Sequence, residues 1–173
     1  MSRQFTILTL LLSLPVLTGC ESAPEPDPQA REAAMWVLRR GGNVRLMNVA
    51  GRKTDMSQLP EGNFALEEID LNDLPTDQPP ITDGELKALE GLTNLRVLGL
   101  YGTNISDKGA ETIAGLKSLR QLELSQTLIT DKGLETLAVL PELERVFLRN
   151  SGDGITDDGV SNFEKRTGAQ VFR

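Results

Sequence analysis

From Ile81 onward the chain repeats one arrangement of apolar and polar positions. "ITDGELKALEGLTNLRVLGLYGTN" starts at Ile81, "ISDKGAETIAGLKSLRQLELSQTL" at Ile105, "ITDKGLETLAVLPELERVFLRNSGDG" at Ile129 and "ITDDGVSNFEKRTGAQVFR" at Ile155, so the spacings are 24, 24 and 26 residues. Apolar residues fall in register: Leu92, Leu116 and Leu140; Leu95, Leu119 and Leu143; Leu98, Leu122 and Val146; Leu100, Leu124 and Leu148. A fixed period of this length predicts a solenoid in which every unit adds one strand and one helix. In the strand half, apolar and polar residues alternate, which sends the leucines into the core and their neighbours to the open face of the sheet. In the helical half the pairs Leu86/Leu89, Ala110/Ile113, Leu134/Leu137 and Val160/Phe163 are spaced to face inward together.

The polar positions also repeat. Thr82, Ser106, Thr130 and Thr156 precede the helical halves and are placed to accept hydrogen bonds from the first free N–H groups. The Thr82 to Glu85 spacing predicts a capping box. Asp83, Asp107, Asp131 and Asp157 follow, at the positive end of each helix dipole. Thr103, Thr127 and Ser151 close the strands, where their hydroxyls can satisfy backbone groups at the turn.

Residues 29–80 follow the repeat less closely. "QAREAAMWVLRR", Gln29 to Arg40, has helical spacing with Trp36 in its core stripe, and Gly41-Gly42 stops it. "NVRLMNV" and "ALEEIDL" alternate as strands do, and Leu66, Ile69 and Leu71 copy the strand half of the repeat. This segment reads as an N-terminal cap, which a solenoid needs because its end would otherwise expose apolar core. At the other end Arg166 takes a leucine position, and the register of the last strand is open between Val171 and Phe172.

The unit I-[ST]-D-x-G-L-x-x-L-x-x-L-x-x-L-x-x-L-x-L-x-x-T resembles that of bacterial leucine-rich-repeat lipoproteins, closely over residues 81 to 173. The resemblance implies an α/β fold: a short right-handed leucine-rich-repeat solenoid with a parallel concave sheet, convex helices and about three full repeats between caps. The N-terminus carries the other half of the likeness. Arg3 precedes the thirteen mostly apolar residues of "FTILTLLLSLPVL", long enough for a signal-peptide core and too short to span a bilayer. Leu17-Thr18-Gly19-Cys20 then resembles a lipobox, in which the cysteine becomes the acylated first residue of the mature chain. The organisation expected is a signal peptide at 1–19, lipidated Cys20 and a tether to residue 28, a cap at 29–80 and repeats at 81–173. The alternative is an ordinary secreted protein whose odd cysteine lies near its cleavage site by chance. "ESAPEPDP", Glu21 to Pro28, holds three prolines and three acids, so it is expected to stay extended, reaching on the order of 25 Å.

Charge narrows the function. After residue 19 the remaining 154 residues carry 17 basic and 25 acidic groups, a net −8, which argues against nucleic acid. No histidine is present and Cys20 is the lone cysteine, so zinc sites of the Cys/His kind, Cys-His nucleophiles and intrachain disulfides are excluded. No cofactor is expected. "SGDGITDDG", residues 151 to 159, is rich in aspartate, yet Ile155 falls where an EF-hand needs a ligand. The repeated aspartates give no carboxylate pair in contrasting environments, so no catalytic site is expected.

On the open face the expected columns are Glu68, Val97, Gln121 and Arg145; Asp70, Gly99, Glu123 and Phe147; Asn72, Tyr101, Ser125 and Arg149; and Asp73, Gly102, Gln126 and Asn150. Acids gather at the N-terminal end, and Arg145 and Arg149 flank Phe147 at the other. Tyr101, Arg145, Phe147 and Arg149 are therefore the candidate partner-binding residues, since aromatic and arginine side chains dominate interface energies. The competing reading is that the C-terminal segment half-covers Phe147 and the arginines balance local acids. The function expected is a non-catalytic, membrane-anchored protein-binding module of the bacterial envelope, facing periplasm or exterior. The alternative is a structural envelope protein that self-associates or binds surface polymer.

Overall fold

The computed structural model describes residues 26–72, 74–151 and 154–173. The signal segment, Cys20 and the first part of the tether lie outside them, as do Asp73, Gly152 and Asp153. Seven strands form one sheet: β1 (Asn43–Leu46), β2 (Arg52–Lys53), β3 (Leu66–Asp70), β4 (Val97–Gly99), β5 (Gln121–Glu123), β6 (Arg145–Phe147) and β7 (Gln170–Phe172), in the order β2-β1-β3-β4-β5-β6-β7. From β3 to β7 every pairing is parallel, whereas β1 is antiparallel to both of its neighbours. Helices α1 (Ala30–Arg39), α2 (Asp107–Ile113), α3 (Asp131–Leu137) and α4 (Asp157–Thr167) complete the architecture, a small α/β solenoid.

The core lies between sheet and helices. Leu92, Leu95, Leu98, Leu100 and their equivalents one and two units on are all buried, so the predicted columns are the core. The cap continues this core with Ala33, Ala34 and Val37 of α1 and Val44 and Leu46 of β1. Trp36 packs partly buried against the same cluster. α1 ends where Gly41 adopts φ +85°, a conformation that glycine reaches without strain. Asn48, at φ 59°, turns the chain out of β1 earlier than the alternation of "NVRLMNV" suggests.

Two local expectations are corrected. The first repeat's helical half is a 3₁₀ helix, Glu85–Leu89, whose three-residue turn still puts Leu86 and Leu89 on one buried face. Its capping box is one-sided: Glu85 accepts from the Thr82 N–H at 3.0 Å, but the Thr82 hydroxyl also donates to Glu85, at 3.1 Å, instead of accepting from the helix. The spacer is shorter than its composition suggests. Asp27 is only 4% exposed, and its Oδ1 accepts from the Thr93 N–H at 2.8 Å, the Thr93 hydroxyl at 2.6 Å and the Asn94 amide at 3.0 Å. Those bonds fasten the chain just before α1 onto the loop between the first repeat's 3₁₀ helix and β4.

The repeated aspartates do more than face a helix dipole. Asp83 accepts from the backbone N–H of Ser106 at 2.8 Å and from its hydroxyl at 2.6 Å. Asp107 holds Thr130 the same way at 2.9 and 2.7 Å, and Asp131 holds Thr156 at 3.0 and 2.6 Å. Each carboxylate therefore ties its own unit to the next. A glycine makes room for it: a Cβ at Gly109 would stand 2.5 Å from Asp83 Oδ1, and one at Gly133 2.5 Å from Asp107 Oδ1. Gly159 lies against Asp131 in the same way. Asp157 is paired with Arg173 rather than with a threonine.

Candidate functional site

Strand register fixes the open face. Glu68, Val97, Gln121 and Arg145 pair in line, and so do Asp70, Gly99, Glu123 and Phe147, as the alternation predicts. β7 extends both rows: Gln170 lies opposite Arg145 and Phe172 opposite Phe147, while Val171 pairs with buried Val146 and points to the core. Thr103 and Thr127 hydroxyls donate to the carbonyls of Leu100 and Leu124, both at 2.7 Å, closing the turns as expected. Ser151 reaches back to Leu124 O at 3.5 Å, a much looser contact. The row Gly102, Gln126 and Asn150 belongs to the turns beyond the strands, each residue at positive φ (70°, 57° and 53°).

The N-terminal half of the face is electrostatically closed. Arg45 of β1 pairs with Glu68 at 3.1 Å; Arg52 of β2 also contacts Glu68 and reaches Asp70 at 2.9 Å. The acids that sequence placed at this end are thus neutralised by a cap hairpin whose antiparallel pairing the repeat pattern does not reveal. Asn72 lies over Gly99 and accepts the Tyr101 N–H at 2.9 Å, so the missing Cβ of Gly99 is filled by a neighbour's amide.

The C-terminal half is open. Arg145 and Arg149 are exposed, and among the described residues neither forms an ion pair. Between them Phe147 is half-buried because Phe172 stacks on it, ring centroids 4.8 Å apart and planes 15° from parallel. On the ring itself the competing reading holds, since the C-terminal segment half-covers Phe147 through a cross-strand aromatic pair, and Phe172 joins the candidate set. Glu123, beside Phe147 in the same row, gives one oxygen to the Ser125 N–H at 2.7 Å. Arg149 donates its backbone N–H to Ser125 Oγ at 2.8 Å, and the residue is exposed.

Tyr101 is 40% exposed and shares a row with Asn72, Ser125 and Arg149, but buried Ser125 separates it from the arginines. It borders a cleft of about 350 Å³ walled by Leu74, Pro75, Pro79 and Pro80. A second cleft, of about 410 Å³, lies on the opposite, helical side between α3 and α4, with Glu135, Asn162, Lys165 and Arg166 on its walls. Asp131 and Thr156, at its edge, are bonded to each other. Sequence missed Phe172 and Gln170 because the alternation of so short a strand left its register open between Val171 and Phe172. Arg45 and Arg52 were missed because their partners lie across an antiparallel ladder.

Among the described residues no helix is long and apolar enough to cross a membrane. Residues 91–114 and 115–138 each match the family model described as "Leucine Rich repeat". Both segments run from the end of one helical half, through a strand, into the next helix, and they support a leucine-rich-repeat protein with a solenoid fold. Comparison with curated proteins gives no match.

Proposed function

We propose that the protein is a non-catalytic binding module, tethered to a membrane of the bacterial envelope through acylated Cys20, that recognises a protein partner on the C-terminal half of its concave sheet. Leucine-rich repeats are interaction scaffolds by construction, because their units line up a surface of independent columns. The observation that carries the reading is the asymmetry of that surface. Glu68 and Asp70 are paired within the molecule, while Arg145 and Arg149 present unpaired guanidinium groups on either side of the Phe147–Phe172 stack. Arginine and aromatic side chains together are the composition of interface hot spots. Support for the tether comes from the apolar run before Leu17-Thr18-Gly19-Cys20 and from the proline-rich acidic stretch that joins it to the docked Asp27.

The test is affinity capture from detergent-solubilised envelope by the full-length protein, run beside the Arg145→Glu, Phe147→Ala, Arg149→Glu variant. A protein held by the wild type and lost by a variant with an unchanged unfolding transition is the expected result. Equal capture by both forms would remove the concave patch as the recognition surface.

A further inference from the structure

We propose that the open end of the sheet binds an extended acidic segment of its partner, in which two carboxylates flank an apolar side chain. This rests on the reading of the concave face as the binding face and adds the chemistry of what it binds.

The chain has more acids than bases, 25 against 18, and six of its arginines are held by carboxylates among the described residues. Arg40, Arg45, Arg52, Arg96, Arg120 and Arg173 each pair with a carboxylate. Among the described residues Arg31, Arg39, Arg166, Arg145 and Arg149 do not, and of these Arg145 and Arg149 stand on the open side of the sheet, although Glu123 lies one strand away and Glu144 precedes Arg145 in the chain. Glu123 is turned to the Ser125 N–H, and Glu144 is drawn to Arg120 at 3.8 Å. Two unpaired guanidinium groups on the face of an acidic protein point to a ligand that brings its own carboxylates, which arginine binds with two parallel hydrogen bonds.

Spacing gives the ligand its shape. Arg145 opens β6 and Arg149 lies in the turn that follows it, four positions on. The Phe147–Phe172 stack lies between them and spans two strands. A segment running along β6 would place one carboxylate near each arginine and an apolar side chain on the aromatic pair. Gln121 and Gln170, the row neighbours of Arg145, add hydrogen-bonding groups without adding charge. On the N-terminal side the face acids Glu68 and Asp70 are already held by Arg45 and Arg52.

The experiment is selection of a random peptide display library on the full-length protein in detergent, followed by affinity measurement of the enriched peptides on variants. Enriched sequences should carry Asp or Glu on both sides of an aromatic or aliphatic residue. Their affinity should fall at least about tenfold on Arg145→Glu, Arg149→Glu, because like charges face each other, and should weaken as salt rises. Peptides with lysines in place of the acids should regain binding to that charge-reversed variant, a result that a merely misfolded variant could not give. Enrichment of neutral or basic sequences that still compete at Phe147 would overturn the acidic-segment proposal while leaving the face as a binding face. Peptides indifferent to every substitution on the face would overturn both.

Discussion

Replacing Gly133 with alanine reverses the usual sign of a helical glycine substitution. In an ordinary helix interior Gly→Ala stabilises by about 1 kcal/mol. In α3 the new Cβ would stand 2.5 Å from Asp107 Oδ1 and 2.9 Å from Ile129 Cγ2, both too close. Asp107 is the softer neighbour and must turn away, giving up its bonds to the Thr130 N–H and hydroxyl. Hydrogen bonds to a charged group are worth roughly 1.5 kcal/mol each at the low end, the end suited to this half-exposed carboxylate, so the loss is about 3 kcal/mol. The net expectation is about 2 kcal/mol of destabilisation, or a urea midpoint lowered by about 1 M at a typical slope for a small domain. The same change in an Asp107→Ala background should cost far less, since the carboxylate and its bonds are already gone, and the double-mutant cycle should give a coupling of about 3 kcal/mol. Gly84→Ala is the control: nothing lies within 4 Å of a Cβ there. A stabilised Gly133→Ala protein, or equal effects in both backgrounds, would show that the glycine does not house the carboxylate.

Four further outcomes are expected. Asp27→Ala removes three acceptor contacts to Thr93 and Asn94 and should lower stability by about 2 kcal/mol, with faster hydrogen exchange at the Thr93 amide. Phe172→Ala should cost about 1 kcal/mol of stacking beyond the area it uncovers and should increase binding of a hydrophobic dye, because Phe147 loses its cover. Asp55 should titrate below its ordinary 3.8 in the folded protein, held down by the Ser57 hydroxyl and then the Ser57 N–H against a small opposing effect of burial. Since its folded value is depressed, what it adds to stability is present above 3.8 and fades as pH falls through the folded value; a carboxyl-resolved NMR titration with a midpoint at or above 3.8 would contradict this. Cys20→Ser should leave the protein in the soluble fraction after export, and a variant that stays membrane-bound and is cleaved at the same place would rule out acylation as the tether.

The apolar columns were legible because each leucine answers to one requirement, burial between sheet and helix, that recurs unchanged every 24 residues. The Asp-x-Gly motif was legible as a pattern but not as a bond. Asp107 and Gly109 are neighbours in sequence, yet Asp107 is the partner of Thr130 and Gly133, while Gly109 serves Asp83. A motif written within one unit therefore hides a contact made between two. The first repeat shows the rule from the other side: Glu85 occupies the glycine position there, where no preceding aspartate needs room. Of the candidate site, the columns and the two arginines were readable from alternation, whereas the cover on Phe147 depended on the register of a strand too short for its alternation to fix. The docking of Asp27 was hidden by the prolines around it, whose composition argues for an extended spacer and says nothing of a single buried carboxylate.

At both edges of the parallel part of the sheet this chain supplies substitutes for a neighbouring repeat. At the first parallel strand the antiparallel pair β1–β2 brings guanidinium groups to Glu68 and Asp70, acids two positions apart on one face of β3. At the last unit Arg173 takes the place of the threonine N–H and hydroxyl that Asp157 would meet in a following repeat, and Phe172 covers the aromatic ring that a further strand would otherwise shield. These devices consume the charged and aromatic groups closest to each end. Arg145 opens the interior strand β6 and Arg149 lies in the turn just beyond it, and neither forms an ion pair among the described residues. Their guanidinium groups are thus free of structural duty, and that is why the physical argument for recognition falls on β6 rather than on the more strongly charged N-terminal rows.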